Sequence, residues 1–336
     1  MTVGKRTRVR TVDWRDAVWL EEADSWIRSH VPGTLIGPIE QPHVYPWATV
    51  LRVPTSDGVV WFKANAPIQR FEAALAVELA EAAPEVIVEL VAVDVERGWL
   101  LMRHAGSRLR DLAAGVEQTE HWLAILPRYA ELQLSLAPRL ERLLALGVPD
   151  ERLGGLARHF ERMLEDHDTL LLGRPDGLTL DELGRLRDAA PMVASMCSDL
   201  AAVGIPETIQ HDDFHDGQVF VREGGYCFLD WGDSCVSHPF HTMVVTLRVL
   251  AWQQGLPPGG LELLRFRDAY LEPFAELASP AELRAAFGLA HRTGRIARAL
   301  AWYRYFVGDP EAERDDTVAY GLKMFLADGP IGSWEP

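Results

Sequence analysis

The apolar positions change period several times along the chain, and the changes divide it into segments. From Val12 to Val31 they recur at helical spacing, with Val18, Ala23, Trp26 and Ile27 able to share a face opposite acidic residues. The pattern then shortens to runs rich in β-branched and aromatic residues, Thr34–Gln41, Thr49–Val53 and Val59–Lys63, separated by Pro and Gly. Ser56-Asp57-Gly58 predicts a tight turn between the last two. A helix is expected over Ile68–Ala83, with Phe71, Leu75 and Leu79 on one stripe and Glu72 in its first turn. Two more strands follow, Val86–Val93 and Trp99–Met102, joined by the polar connection Asp94–Gly98. These segments predict a five-stranded antiparallel sheet with one inserted helix. A lysine, Lys63, closes an otherwise apolar strand; it either snorkels to solvent or is paired, because burying its ammonium alone is costly.

At Arg103–Ser107 the pattern breaks, and beyond it the period is helical almost throughout to Ala202. Asp111–Ala114, Glu120–Leu146 and Asp150–Leu172 carry the repeats. Trp122, Leu126, Tyr129, Leu132 and Leu136 make one stripe, and Pro127 and Pro138 start or kink pieces of it. Such stripes predict core. Helices resume at Thr242–Gln253, Gly260–Leu277, Glu282–Val307 and Asp315–Leu326. The expected architecture is α+β: a small antiparallel β lobe over residues 1–103, a hinge near Met102–Ala105, and a large, mainly helical lobe over residues 104–336.

One stretch interrupts the helical lobe. Ile209 to Phe240 reads as a carboxylate-rich loop, a strand Val219–Arg222, a Gly224-Gly225 turn and a strand Tyr226–Leu229 that delivers Asp230 into a second polar turn. A hairpin brings its ends together, so the loop holding Asp213 and Gln218 should face the turn holding Asp230. Carboxylates and an amide converging on one point suit a hard divalent cation bound to phosphate oxygens. That arrangement points to phosphoryl transfer.

Composition removes several alternatives. A net charge of −16 argues against nucleic acid as a partner, and it is compatible with a cationic small molecule. No apolar run approaches the roughly 20 residues of a membrane span. The N-terminus (MTVGKRTRVR) has basic residues with no apolar segment after them, so it is not read as a secretory signal. Cys197, Cys227 and Cys235 form no pairwise metal spacing and leave one over, which favours a reduced, cytoplasmic setting.

A strand lysine followed by an HxDxxxxN-type loop and a later Asp is the signature set of protein-kinase-like folds. Here the loop is His211-Asp212-Asp213-Phe214-His215-Asp216-Gly217-Gln218 and the later turn Asp230-Trp231-Gly232-Asp233. On these residues the chain resembles the aminoglycoside phosphotransferase family, also called the phosphotransferase enzyme family, over roughly Thr34 to Leu326. The family's loop usually reads HGDLHxxN before a D-W or D-F pair. The resemblance implies a bilobal protein-kinase-like fold, ATP or GTP with Mg²⁺, and transfer to a small hydroxyl-bearing acceptor. By that resemblance Asp213 is the catalytic aspartate and Asp230 a magnesium ligand. Lys63, held by Glu72, would contact the α/β-phosphates. Met102, Arg103 and His104 would face the purine at the hinge. Thr49 and the turn Tyr45–Ala48 would take the place of the nucleotide-covering loop, although that turn has no glycine. His211 and His215 are expected to brace the loop.

Two positions depart from the family pattern. Gln218 stands where the metal-binding Asn is usual, with the same oxygen ligand one methylene further out, and Asp212 stands where glycine is usual. For the acceptor, Asp233 and Glu131 are candidate contacts to a cation. Two rivals remain open from the residues themselves. One is a metal hydrolase built on His211, Asp213, His215 and Asp216 with His238 and His241. The other is a non-catalytic nucleotide-binding regulator on the same fold, for which Gln218 is the supporting feature.

Overall fold

The computed structural model describes residues 12–333; the basic N-terminal segment discussed above lies outside them. The first helix, α1 (Ala17–His30), is capped by Asp16, whose side chain accepts from the Val18 and Trp19 amides, and it buries Ala23 and Ile27. Val18, expected on the same face, is 64% exposed.

Strands β1 (Glu40–Val44), β2 (Ala48–Thr55) and β3 (Gly58–Asn65), helix α2 (Phe71–Ala82), and strands β4 (Leu90–Asp94) and β5 (Trp99–Arg103) form the small lobe. The sheet is antiparallel in the order β1-β2-β3-β5-β4. Helix α1 covers one face: Ala23 and Ile27 pack with Leu51, Val53, Val60, Phe62 and Leu101, while Trp26 meets Phe62 and Trp99 at 5.7 Å each. The other face packs Leu100 and Met102 against Ala73 and Ala76 of α2.

Two of the predicted strands are displaced. The first runs Glu40–Val44 rather than Thr34–Gln41, because Gly37-Pro38 interrupts the earlier segment, which touches the sheet only at a Leu35–Thr55 bridge. Pro42 is tolerated inside β1 because β1 is an edge strand with an irregular register between Glu40 and His43. The predicted Val86–Val93 strand is divided. Only its end joins the sheet as β4, while the Val86 carbonyl accepts from the Phe228 amide at 2.8 Å. That contact ties the small lobe to the polar hairpin of the large one.

The chain continues through β6 (Ser107–Arg108) and α3 (Leu109–Leu112) into α4 (Gly115–Leu136) and α5 (Leu140–Ala145). Pro127 lies inside α4, and the expected break falls at the 3₁₀ turn Ala137–Arg139 containing Pro138. Helix α6 (Leu153–Leu164) is shorter than the predicted Asp150–Leu172; turns take over, with Leu171 at φ +49°. Helix α7 (Leu180–Ala202) starts with a Thr179–Glu182 capping box. Next come β7 (Thr208–Gln210), β8 (Val219–Arg222), β9 (Gly225–Phe228) and β10 (Cys235–Ser237), then α8 (Met243–Gln254), α9 (Leu261–Leu271), α10 (Pro280–Gly308) and α11 (Thr317–Ala327). The helices enclose one continuous apolar core that includes Trp122, Tyr129, Phe160, Phe240 and Phe287. Glu78 of α2, 1% exposed, is paired by Arg139 and Arg142, which fixes α2 to the helical lobe. Among the described residues no helix is long and apolar enough to cross a membrane.

Candidate active site

Two short ladders set the site. On one side β7 pairs with β10, Gln210 opposite Cys235; on the other β8 pairs with β9, Val219 opposite Phe228. The loop 211–218 leaves β7 and enters β8, and the turn 229–234 leaves β9 and enters β10. Each segment is therefore pinned at both ends against the other. The hairpin turn is Glu223-Gly224, one residue earlier than predicted, with Gly224 at φ +87°. Strands β6, β7 and β10 were not predicted; with two or three residues each, they show no period.

Inside the loop, Phe214 is fully buried and stacks on Tyr129 at 4.1 Å, with Phe228 edge-on at 5.1 Å. Asp216, 1% exposed, accepts from Arg110, Gln118 and Gln253. His211 donates from Nε2 to the Leu229 carbonyl at 2.8 Å, and burial lowers its pKa, keeping the ring neutral. His215 Nδ1 accepts from the Gly217 amide, and its Nε2 lies 3.3 Å from Asp213 Oδ2. These contacts hold Asp213 at the cleft with its side chain a quarter exposed.

From the small lobe, Lys63 reaches Glu72 Oε2 at 2.6 Å and Asp230 Oδ1 at 2.5 Å. The lysine is buried, which by itself would lower its pKa, but the two carboxylates outweigh burial and hold it above its ordinary value. It is thus paired rather than snorkelling. Glu72 also accepts from the Trp231 amide at 2.9 Å, so α2 registers the Asp230 turn directly. Asp230 is at φ +66°, a left-handed conformation that aims its carboxylate back at Lys63 and Gln218. Burial pushes the Asp230 carboxyl up, and Lys63 more than reverses this, leaving it below the usual range. Gln218 Nε2 lies 3.2 Å from Asp230 Oδ2 and 3.5 Å from Asp213 Oδ2.

A cleft of about 520 Å³ runs between the lobes, within the roughly 300–1,000 Å³ of small-molecule sites. Lys63, Glu72, Asp213, Gln218, Asp230 and the hinge Met102–His104 all line it. Part of its wall is apolar, with Val50, Leu100, Phe220 and Phe228 among the lining residues. At the hinge, His104 Nδ1 accepts from the Gly106 amide, and Arg103 pairs with Glu89 at 3.7 Å. Thr49 is placed differently from the other candidates. Alternation along β2 turns its neighbours Ala48 and Val50 to the cleft, while the Thr49 hydroxyl, fully buried, donates to the His43 carbonyl at 2.8 Å. Its side chain shapes the turn and does not face the cleft. Glu131 is also displaced: on α4 the inward positions are Tyr129, Ala130 and Leu132, so Glu131 faces solvent away from the cleft. Asp233 does line it.

Several contacts across the cleft were not anticipated. Gln69 reaches across the lobes, its Nε2 donating to Asp233 Oδ1 at 2.7 Å. Trp47, in the turn between β1 and β2, makes edge contacts with Trp302 and Tyr305 of α10 at 5.8 and 5.7 Å. That turn covers the cleft with an aromatic side chain where a glycine-rich loop would use main chain. Arg298 of α10 donates from Nη2 to Asp213 Oδ1 at 3.0 Å. Burial would raise the Asp213 carboxyl, but Arg298 and His215 hold it well below the usual range. Asp233 is pushed up to about 7 by burial, against Arg298 and with Asp213 and Asp212 adding to the rise. A third of its side chain is exposed, so water screens part of that push.

The histidines do not converge as a metal hydrolase would need. His241 is held between Ser237 Oγ and Thr293 Oγ1, and His238 Nδ1 accepts from the Phe240 amide. Among the described residues no group of three or more His, Cys, Asp or Glu side chains is arranged to hold an ion. Magnesium asks for less, one or two protein oxygens alongside phosphate oxygens and waters. Asp230 offers a carboxylate to such a site; Gln218 stands beside it with Nε2 donating to Asp230 Oδ2, so to serve as a ligand its amide would turn to present Oε1.

A two-lobed kinase-like fold with a lysine–glutamate pair and two aspartates across the cleft defines the class as phosphotransferase. The chain belongs to the phosphotransferase enzyme family, whose model matches residues 48–286. No curated protein matches the sequence. Solved structures with the same fold include an ethanolamine kinase of Plasmodium vivax, at 12% identity and a TM-score of 0.62 over 94% of this chain and 89% of that one. A choline/ethanolamine kinase family protein of Mesorhizobium loti is 18% identical, with a TM-score of 0.58 over 92% and 94%. A macrolide 2′-phosphotransferase of Brachybacterium faecium is 15% identical, with a TM-score of 0.52 over 90% and 97%.

Proposed function

We propose that the protein is an ATP-dependent O-phosphotransferase acting on an aminoglycoside-like or other small hydroxyl-bearing metabolite. GTP is an alternative donor, since hinge recognition is largely through main-chain groups. The carrying observation is that Lys63, paired to Glu72, also contacts Asp230, while Gln218 spans Asp230 and Asp213. Phosphate-binding and hydroxyl-activating groups thus meet within one cleft. Residues 1–103 serve the nucleotide, and residues 104–336 supply the catalytic loop and the acceptor side.

In this reading the adenine lies against Val50, Leu100 and Phe220 with its edge toward Met102–His104, and the phosphates reach Lys63. Asp230, with Gln218 through its amide oxygen, would hold magnesium, which would supply charge neutralisation at the phosphate oxygens. Asp213 orients the acceptor hydroxyl and takes its proton as the new O–P bond forms and the bond to the β-phosphate oxygen breaks. On the acceptor side, Asp233 and the aromatic faces of Trp47, Trp302 and Tyr305 suit a compact, cationic alcohol. The free, buried cysteines Cys197, Cys227 and Cys235 fit a reducing cytoplasmic setting.

The test is nucleotide consumption with magnesium–ATP and magnesium–GTP against aminoglycosides, macrolides, choline, ethanolamine and neutral sugars. Turnover with at least one alcohol, yielding its phosphate ester, is expected. Magnesium-dependent ATP binding with no turnover on any acceptor would instead establish the non-catalytic regulator. Gln218→Asn separates a weakened metal ligand from an adapted one. Because the Gln218 side chain spans the gap between Asp213 and Asp230, a side chain one methylene shorter loses that reach, and Gln218→Asn is expected to lower turnover several-fold and weaken magnesium dependence. Faster turnover would show that glutamine compromises the site.

A further inference from the structure

We propose that Arg298 is a positioning residue for Asp213, and that Asp212 replaces glycine in the loop in order to hold Arg298. The proposal rests on the reading of Asp213 as the group that handles the acceptor hydroxyl.

Arg298 comes from the middle of α10, far along the chain from the catalytic loop, and its side chain is 13% exposed. Its guanidinium divides its donors. Nη2 takes Asp213 Oδ1 at 3.0 Å, and Nη1 takes both the Asp212 carbonyl and Asp212 Oδ2 at 3.2 Å. Nη1 also lies 3.6 Å from Asp233 Oδ2, and the guanidinium sits 5.5 Å from the Trp302 ring centre. A planar fork held on an aromatic face at several points has one orientation, so the carboxylate it grips has one too. Oδ1 of Asp213 is occupied in this way. Oδ2 has only the longer contacts, His215 Nε2 at 3.3 Å and Gln218 Nε2 at 3.5 Å, and is the oxygen assigned to receive the acceptor proton.

Asp212 explains why the grip is firm. Its φ of +64° lies in the left-handed region, where glycine is free of strain and an aspartate is tolerated with some. A strained residue persists where its surroundings over-determine it. Here the Asp212 amide donates to Gln210 Oε1 at 2.8 Å, and Gln210 Nε2 donates back to Asp212 Oδ1 at 3.0 Å. Oδ2 is left for Arg298. A glycine would keep the backbone shape and lose this anchor. The carboxylate beside the catalytic aspartate, which as a bare neighbour would only repel it, thereby supplies the partner that fixes the arginine.

The experiment is a double-mutant cycle on the full-length protein with Asp212→Gly, Arg298→Ala and the pair together. Magnesium–ATP turnover is read with water as acceptor and with the best alcohol from the panel, as kcat and KM for ATP separately. Arg298→Ala is expected to lower kcat by roughly 30- to 100-fold with KM for ATP within about threefold, and added guanidinium chloride at low millimolar level is expected to restore part of the rate. Asp212→Gly, with its strain relieved, should fold at least as stably yet lose roughly tenfold in kcat; the double variant should be no slower than Arg298→Ala alone. Turnover in Arg298→Ala within about threefold of the parent overturns the positioning role. Losses that multiply in the double variant overturn the link through Asp212. Should Arg298→Ala fail to fold, Arg298→Lys carries the test: the lysine keeps the charge without the fork, and undiminished kcat in that variant also overturns the proposal. An Asp213→Ala control separates the two readings. If that variant still turns over, the role of Asp213 is wrong whatever Arg298 does; if it is inactive while Arg298→Ala is normal, only the present inference fails.

Discussion

Asp213→Ala is expected to lower phosphate transfer by roughly a thousandfold while leaving ATP affinity within a few-fold of the parent. The split follows from where the side chain stands. Asp213 touches Arg298 and His215, neither assigned to the nucleotide, and Gln218 only at 3.5 Å, whereas the groups assigned to the nucleotide are Lys63 and the hinge. The variant should also remain folded. Removing a buried partner is damaging when it strands an opposite charge, but Arg298 would still face Asp212 and Asp233. Parallel measurements of turnover and of ATP-induced thermal shift check both halves. Near-normal turnover would show that another group receives the proton. Because Arg298 holds Asp213 below the ordinary carboxylate range, the parent's dependence on ionised Asp213 is lost only as pH falls through that depressed value. Turnover should therefore show no loss from this residue even near pH 4, where an ordinary aspartate would be about half protonated.

What the sequence shows of this site is what lies close together along the chain. Asp213, Gln218 and Asp230 are separated by one hairpin, and β8 and β9 are long enough for an alternating pattern, so their convergence was legible. Lys63 was legible because a charged residue ending an apolar strand is an exception that needs a partner. Glu72 was suggested by its place in the first turn of the next helix. Arg298 was not, although it contacts Asp213 directly. An arginine among the inward positions of a long helix carries no sign of which distant loop it meets, and α10 also buries Arg295 for an unrelated purpose, donating to the Met324 and Gly329 carbonyls. Gln69 was missed for the same reason, since it acts across the lobes; Trp47 lay within the expected covering turn Tyr45–Ala48, but its contacts with α10 were not foreseen. The displaced strands have local causes. Gly37-Pro38 delays β1, and the apolar run after Pro84 serves two structures, with Val86 against β9 and Leu90 onward in the sheet. Hydrophobicity marked both halves as buried but could not say against what.

Asp230→Asn is the complementary expectation: the stabilisation of ATP binding by magnesium disappears, and transfer falls by three orders of magnitude or about that. Asparagine is the informative substitution because residue 230 sits at φ +66°, a conformation that asparagine tolerates and alanine does not adopt readily. Backbone strain is thus kept out of the comparison, and the change is confined to one negative charge. Lys63 stays paired to Glu72 at 2.6 Å, so the small lobe keeps its buried ion pair, and Glu72 still receives the Trp231 amide. In the parent, Lys63 lies between two carboxylates; with Asp230 neutral it is freer to meet phosphate. ATP binding without magnesium should therefore hold steady or strengthen slightly even as the magnesium-dependent part vanishes. Calorimetric titration of ATP with and without magnesium, on the parent and the variant, distinguishes the two contributions. A variant that retains the full magnesium effect would place the metal on other groups and remove Asp230 from its assigned role.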